Sequence, residues 1–113
     1  MELKIMRTDP SVTRIALEGK LDVEGEGKIG DEFRRVVDGS NANVLVDLAQ
    51  VSYLASLGIR LLFAGAKSLG SSGKKMVVIN PQPMVKETLL NSGTVRLIPI
   101  AEDEEDAKRL LAY

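Results

Sequence analysis

The amino-acid sequence predicts an α/β domain, with a central mixed and largely parallel β-sheet and about four helices. Three observations carry that expectation. Val44-Leu45-Val46-Asp47-Leu48 and Met76-Val77-Val78-Ile79 are nearly continuous apolar runs, the pattern of strands covered on both faces. Each is followed by a stretch with apolar residues at helical spacing. The chain also opens with two short apolar segments, from which alternation of strand and helix continues, as in a sheet with right-handed crossovers.

The opening segments are Leu3 and Ile5, then Val12, Ile15, Ala16 and Leu17, read as two strands. Between them, Thr8-Asp9-Pro10-Ser11 is a turn, because Pro fixes φ and the Asp and Ser side chains bond nearby backbone. Ile29, Phe33, Val36 and Val37 lie on one face of a first helix, which Asp38-Gly39-Ser40-Asn41 ends. After the strand at Val44 to Leu48, a second helix has Ile59, Leu62, Phe63, Ala66 and Leu69 on one side and Arg60 and Lys67 on the other. Gly70-Ser71-Ser72-Gly73 closes it, Gly accepting the left-handed conformation at low cost.

Beyond the strand at Met76 to Ile79, Asn80-Pro81-Gln82-Pro83 is a turn that places Pro83 at the first position of a third helix. That helix carries Val85, Leu89 and Leu90 and stops near Gly93. Arg96 to Ile100 reads as a last strand, at an edge because of Pro99. The acidic run Glu102 to Asp106 suits the positive end of a fourth helix, with Lys108 and Arg109 at its far end and Ala107, Leu110 and Leu111 as its core face. With 113 residues and no linker or internal repeat, residues 1–113 are expected to form one domain.

Composition excludes much chemistry. The chain has no His and no Cys, which removes thiol nucleophiles, Cys/His zinc sites, disulfides and imidazole acid–base catalysis. A net charge of -1, from 15 basic and 16 acidic residues, makes no electrostatic case for direct nucleic-acid binding. The N-terminus lacks the pattern of a secretory signal, and the longest apolar stretch, around Leu61 to Ala66, is far short of the ~20 residues of a membrane span. A cytoplasmic protein with no cofactor, no metal and no membrane insertion is the expectation.

Two glycine motifs invite and fail a nucleotide reading. Gly25-Glu26-Gly27-Lys28-Ile29-Gly30 matches the dinucleotide fingerprint G-x-G-x-x-G. Asp22, Glu24, Glu26, Asp31 and Glu32 surround it, so a pyrophosphate would meet like charge, and the chain is too short for a two-half dinucleotide fold. A flexible loop and loose helix start is the reading there. Gly73-Lys74-Lys75 has Ser68 where a phosphate loop needs Gly and Lys75 where it needs Ser or Thr.

The informative stretch is Val51 to Arg60, joining a buried strand to a helix. It puts Ser56 at the helix N-terminus, where two readings are open. Its hydroxyl can cap a free backbone N–H, worth about 1 kcal/mol. Alternatively it accepts a phosphoryl group, whose charge the helix N-terminus stabilises.

From Val44 onward the chain resembles the STAS domain of bacterial anti-sigma factor antagonists. The family's strand ending Asp-Leu, aromatic-apolar pair, Asp-Ser-Ser-Gly, Asn-Pro turn, helix ending in Gly and apolar-Pro-apolar strand are met here by Asp47-Leu48, Tyr53-Leu54, Ala55-Ser56-Leu57-Gly58, Asn80-Pro81, Gly93 and Ile98-Pro99-Ile100. Upstream, Gly19-Lys20-Leu21-Asp22 is similar to its Gly-x-Leu-Asp element, so the match spans nearly the whole chain. The resemblance implies phosphorylation of Ser56 by a partner that is both anti-sigma factor and serine protein kinase. Unphosphorylated antagonist would bind that partner and release a sigma factor. The implied partner surface comprises Asp22, Ala55, Ser56, Leu57, Gly58 and Arg60. Asp22 has a second reading as a turn-capping carboxylate, and Leu57 as a side chain buried on the sheet.

Two positions depart from the family pattern: Ala55 replaces Asp, and Leu57 replaces the second Ser. Ala55 keeps open an alternative in which the domain is a non-phosphorylated scaffold or small-ligand module of a sensor complex or transport system. An enzymatic reading would need a carboxylate pair such as Asp22 and Asp47. Asp47 reads instead as a strand-end residue satisfied by backbone, so no catalytic residue is assigned.

Overall fold

The chain builds five strands and four helices, seen in a computed structural model that describes residues 1–111, apart from the side chains of residues 7–9. In order these are β1 (Glu2–Asp9), β2 (Val12–Leu21), α1 (Val23–Gly39), β3 (Asn43–Leu54), α2 (Ser56–Ser71), β4 (Met76–Ile79), α3 (Pro83–Ser92), a short 3-10 turn (Thr94–Arg96), β5 (Ile100–Ala101) and α4 (Glu104–Leu111). The strands lie side by side in chain order. β1 is antiparallel to β2, and every later pairing is parallel. The mixed, largely parallel sheet with four helices is the architecture expected from the sequence.

Sequential strand order with right-handed connections puts α1, α2 and α3 on one face of the sheet. The core divides accordingly. Val44, Val46 and Leu48 of β3 join Phe33 and Val37 of α1, Leu62 and Ala66 of α2, and Val85 and Leu89 of α3 in the larger apolar cluster. Leu45, Val77 and Ile79 point the other way, onto Ala107 and Leu111 of α4. The unbroken apolar runs of β3 and β4 thus reflect burial on both faces.

Several expectations are corrected. Gly25, Gly27 and Gly30 lie inside α1, not in a loop and loose helix start. Asp22 starts that helix by accepting a hydrogen bond from the Gly25 N–H at 2.9 Å. A Cβ on Gly25 would lie 2.0 Å from the Lys20 carbonyl oxygen, so this glycine lets the first turn fold back over the end of β2. The last strand is two residues, Ile100–Ala101, in place of Arg96 to Ile100. The Leu97 and Ile98 N–H groups both bond the Thr94 carbonyl, and Pro99 has none to offer a ladder. β5 does lie at the sheet edge, as Pro99 implied.

Two helical residues expected in the core face outward. Leu90 of α3 is 51% exposed and Phe63 of α2 is 37% exposed, while Leu61 and Gly65 take inward positions on α2. β3 continues six residues past Leu48, to Leu54, which puts Asp47 within the strand and not at its end.

Candidate functional site

Parallel strands β2 and β3 end together, with Leu21 paired to Leu54. Each turns directly into a helix, so the N-termini of α1 and α2 emerge side by side at the carboxyl edge of the sheet. The Ala55 N–H donates to the Leu21 carbonyl at 3.0 Å, tying the two junctions together. Asp22 and the Ala55-Ser56-Leu57-Gly58 turn, 33 residues apart in the chain at their nearest, are thereby made neighbours.

Within that turn each residue has a distinct place. Ala55 is the N-cap of α2 and has no side-chain oxygen with which to cap it. Ser56 is the first helical residue and is exposed, and among the described residues its hydroxyl makes no hydrogen bond, so its capping reading is not realised. The reason is positional: a cap residue must have extended backbone, and here the Ala55–Leu21 bond fixes that conformation one residue earlier. The first intrahelical bond runs from the Ile59 N–H to the Ala55 carbonyl at 3.1 Å. The N–H groups of Ser56, Leu57 and Gly58 therefore have no acceptor within the helix.

Leu57 is half-buried, between its two sequence readings. Gly58 is fully inside: a Cβ there would lie 2.6 Å from Leu21 Cγ and 2.8 Å from the Leu21 oxygen. It sets how closely α2 can approach the end of β2. Asp22 is half-buried and acts as the α1 N-cap, which realises its capping reading on a helix. Arg60 stands on the exposed face of α2, one turn beyond Ser56, over a shallow groove shared with Phe63, Lys67 and Thr94. Lys67 Nζ lies 5.7 Å from the Phe63 ring centroid, so that face is both apolar and cationic.

Two exposed apolar residues adjoin the site: Val23 (73% exposed), which sequence reasoning missed, and Tyr53 (46%), which it quoted in a motif but did not assign to the surface. Val23 is the first residue of α1 and Tyr53 precedes the paired Leu54, so both stand at the same sheet edge. The only signal for Val23 was its place immediately after the capping Asp22, which no periodicity marks.

Asp47 is remote from a catalytic pairing with Asp22. It accepts from the Ala49 N–H at 3.0 Å and from Arg14 Nη2 of β2 at 2.9 Å, with side-chain exposures of 12% for Arg14 and 17% for Asp47. Arg14 also reaches Glu104 of α4 at 2.8 Å. Burial works to lower the Arg14 pKa, but the hydrogen bonds that Arg14 donates to Asp47 and Glu104, with the negative charge of both, outweigh it and leave the guanidinium more firmly charged. This is a structural tie between β2, β3 and α4. Among the described residues no cluster of carboxylates could hold a metal ion, and no helix is long and apolar enough to cross a membrane.

A mixed sheet in chain order, with a glycine-packed helix presenting a free serine at its carboxyl edge, defines the class of domain. The chain belongs to the STAS domain family, whose sequence profile matches residues 4–107. It is 28% identical over 91 residues to BtrV of Bordetella bronchiseptica, named as a candidate anti-sigma factor antagonist, covering 80% of this chain and 78% of that one. Its fold is similar to that of an anti-sigma factor antagonist from Mycobacterium paratuberculosis (TM-score 0.86, 20% identity, 99% of this chain and 94% of that one). It is also similar to the phosphorylated form of the Bacillus cell fate determinant SpoIIAA (TM-score 0.70, 18% identity, 96% and 99% coverage).

Proposed function

We propose that this chain, acting as a single domain, is an anti-sigma factor antagonist in the cytoplasm. It binds an anti-sigma factor that is also a serine kinase, releases the sigma factor held by that partner, and is switched off by phosphorylation of Ser56. It is a binding protein and not an enzyme, since the partner supplies ATP and the transfer machinery. The relatives named as anti-sigma factor antagonists support the first part, and the solved phosphorylated form of a protein of this fold supports the second.

The observation that carries the reading is Ser56 itself: exposed and, among the described residues, unbonded and beside three N–H groups that no side chain caps. Transfer of the γ-phosphoryl group of ATP to Ser56 Oγ, with release of ADP, would add about -1.5 to -2 charges at pH 7. The modified side chain has free N–H donors and the positive helix end to settle against. Asp22 on the adjoining helix adds to the negative field. A surface bearing apolar Val23, Tyr53 and Leu57 thus acquires concentrated negative charge, which opposes an acidic or apolar partner.

Incubation with the cognate kinase and ATP should add the mass of one phosphoryl group, located on Ser56 and absent in Ser56→Ala. No mass gain, or a gain elsewhere, would overturn the switch. It would favour the second reading, a STAS scaffold or small-ligand module of a sensor complex or transport system. Ala55, standing where the family pattern has a carboxylate beside the serine, is the observation on that side.

A further inference from the structure

A second site lies at the other end of the sheet. β4 and β5 begin there, preceded by Lys74-Lys75 and Arg96, and the last turn of α2, with Gly70, lies there. Between them is a cavity of about 290 Å³, at the small end of the range for small-molecule sites. Its apolar surface comes chiefly from Leu97, Pro99 and Leu110, over a floor of buried Met76 and Val77, and its charged lining is Lys74, Lys75 and Arg96, with no Asp or Glu among the described lining residues. We propose that this cavity binds a single-chain amphipathic anion, a carboxylate on an aliphatic tail.

The charges call for an anion. Lys74, Lys75 and Arg96 line one cavity together, and none of them has a carboxylate partner among the described residues. Three cations on one cavity, with no counter-charge among the described residues, form a local positive field. The walls call for a tail. A simple inorganic anion would leave the apolar lining wet, and a neutral hydrocarbon would leave the cations without a partner.

The site is also held in shape before any ligand arrives. The Lys74 N–H donates to the Leu69 carbonyl at 2.9 Å, and the Lys75 N–H to Asn43 Oδ1 at 2.9 Å. Opposite them, the Leu97 N–H donates to the Thr94 carbonyl at 3.0 Å and fixes the turn that carries Arg96. A pre-formed mouth reduces the ordering cost of binding. The cavity shares no residue with the Ser56 surface, so it stands or falls independently of the phosphorylation reading.

The test is a titration of ¹⁵N-labelled protein with sodium decanoate below its micelle concentration, with decan-1-ol and inorganic phosphate as companion probes. Saturable amide shifts at Gly70, Lys74 to Val77 and Leu97 are expected with decanoate. Decan-1-ol and phosphate should each bind weaker by about tenfold or more, as should decanoate to the Lys74→Gln/Lys75→Gln/Arg96→Gln variant. The proposal is overturned if the shifts map elsewhere, if either companion probe binds as tightly as decanoate, or if the triple variant, with its amide pattern otherwise intact, binds like the parent.

Discussion

Gly58 shapes the candidate site through packing, because it lets the first turn of α2 rest on Leu21. Gly58→Ala would drive a Cβ to 2.6 Å from Leu21 Cγ and 2.8 Å from its backbone oxygen. Urea unfolding should register a loss of about 1–3 kcal/mol, and a variant as stable as the parent would contradict the packing described. Arg14 and Asp47 make a second residue-scale prediction. Asp47→Ala leaves a mostly buried guanidinium with Glu104 alone and should cost about 2 kcal/mol in the same measurement. Replacing both, as Arg14→Met/Asp47→Leu, should recover most of that loss, because no buried charge is then stranded. Ser56 was legible in the sequence as a helix-start residue, since a buried strand runs into a periodic apolar helix there. Its failure to cap was not legible. The cap position is set by a hydrogen bond from Ala55 to Leu21, residues 34 positions apart.

At the level of elements, α4 has a charge-dependent start. Asp103 Oδ1 accepts from the Asp106 N–H at 2.8 Å, and Asp106 returns a bond by accepting from the Glu102 N–H at 2.9 Å. That backbone hydrogen bond, aided by Arg109 and opposed by desolvation, holds the Asp106 carboxyl below the usual carboxylate range. A lowered folded-state pKa means that the stabilisation is present above the ordinary carboxylate pKa and is lost as pH falls through the folded value. Protection factors of α4 amides should therefore fall below about pH 4 relative to those of β3 and β4. Asp106→Asn should lack that acid-dependent component, and an identical pH profile in the variant would contradict the assignment. The sequence made α4, α2 and the alternation of strand and helix readable because apolar periodicity reports burial directly. It hid the first two turns of α1, whose glycines look like a loop until the Lys20 carbonyl is seen against Gly25. It overextended β5 because Leu97 and Ile98 are apolar, although their N–H groups are consumed by a 3-10 turn.

On the scale of the whole molecule, chain-order topology separates two surfaces. The carboxyl ends of β2 and β3 present Ser56, Asp22, Val23 and Tyr53, while the amino ends of β4 and β5 present the cationic cavity. The absence of His and Cys, read first as an exclusion, accords with a domain whose chemistry is done to it by a partner. With a formal net charge of only -1, a single phosphoryl group is a large change in the field at one edge of the sheet. That change is the central claim, and it is tested most directly by the affinity of the cognate anti-sigma factor for the chain before and after phosphorylation of Ser56. The unmodified protein and Ser56→Ala should bind alike, and the phosphorylated protein should bind weaker by about a hundredfold, with most of the loss in the dissociation rate. Equal affinity of the phosphorylated and unmodified forms would contradict the account.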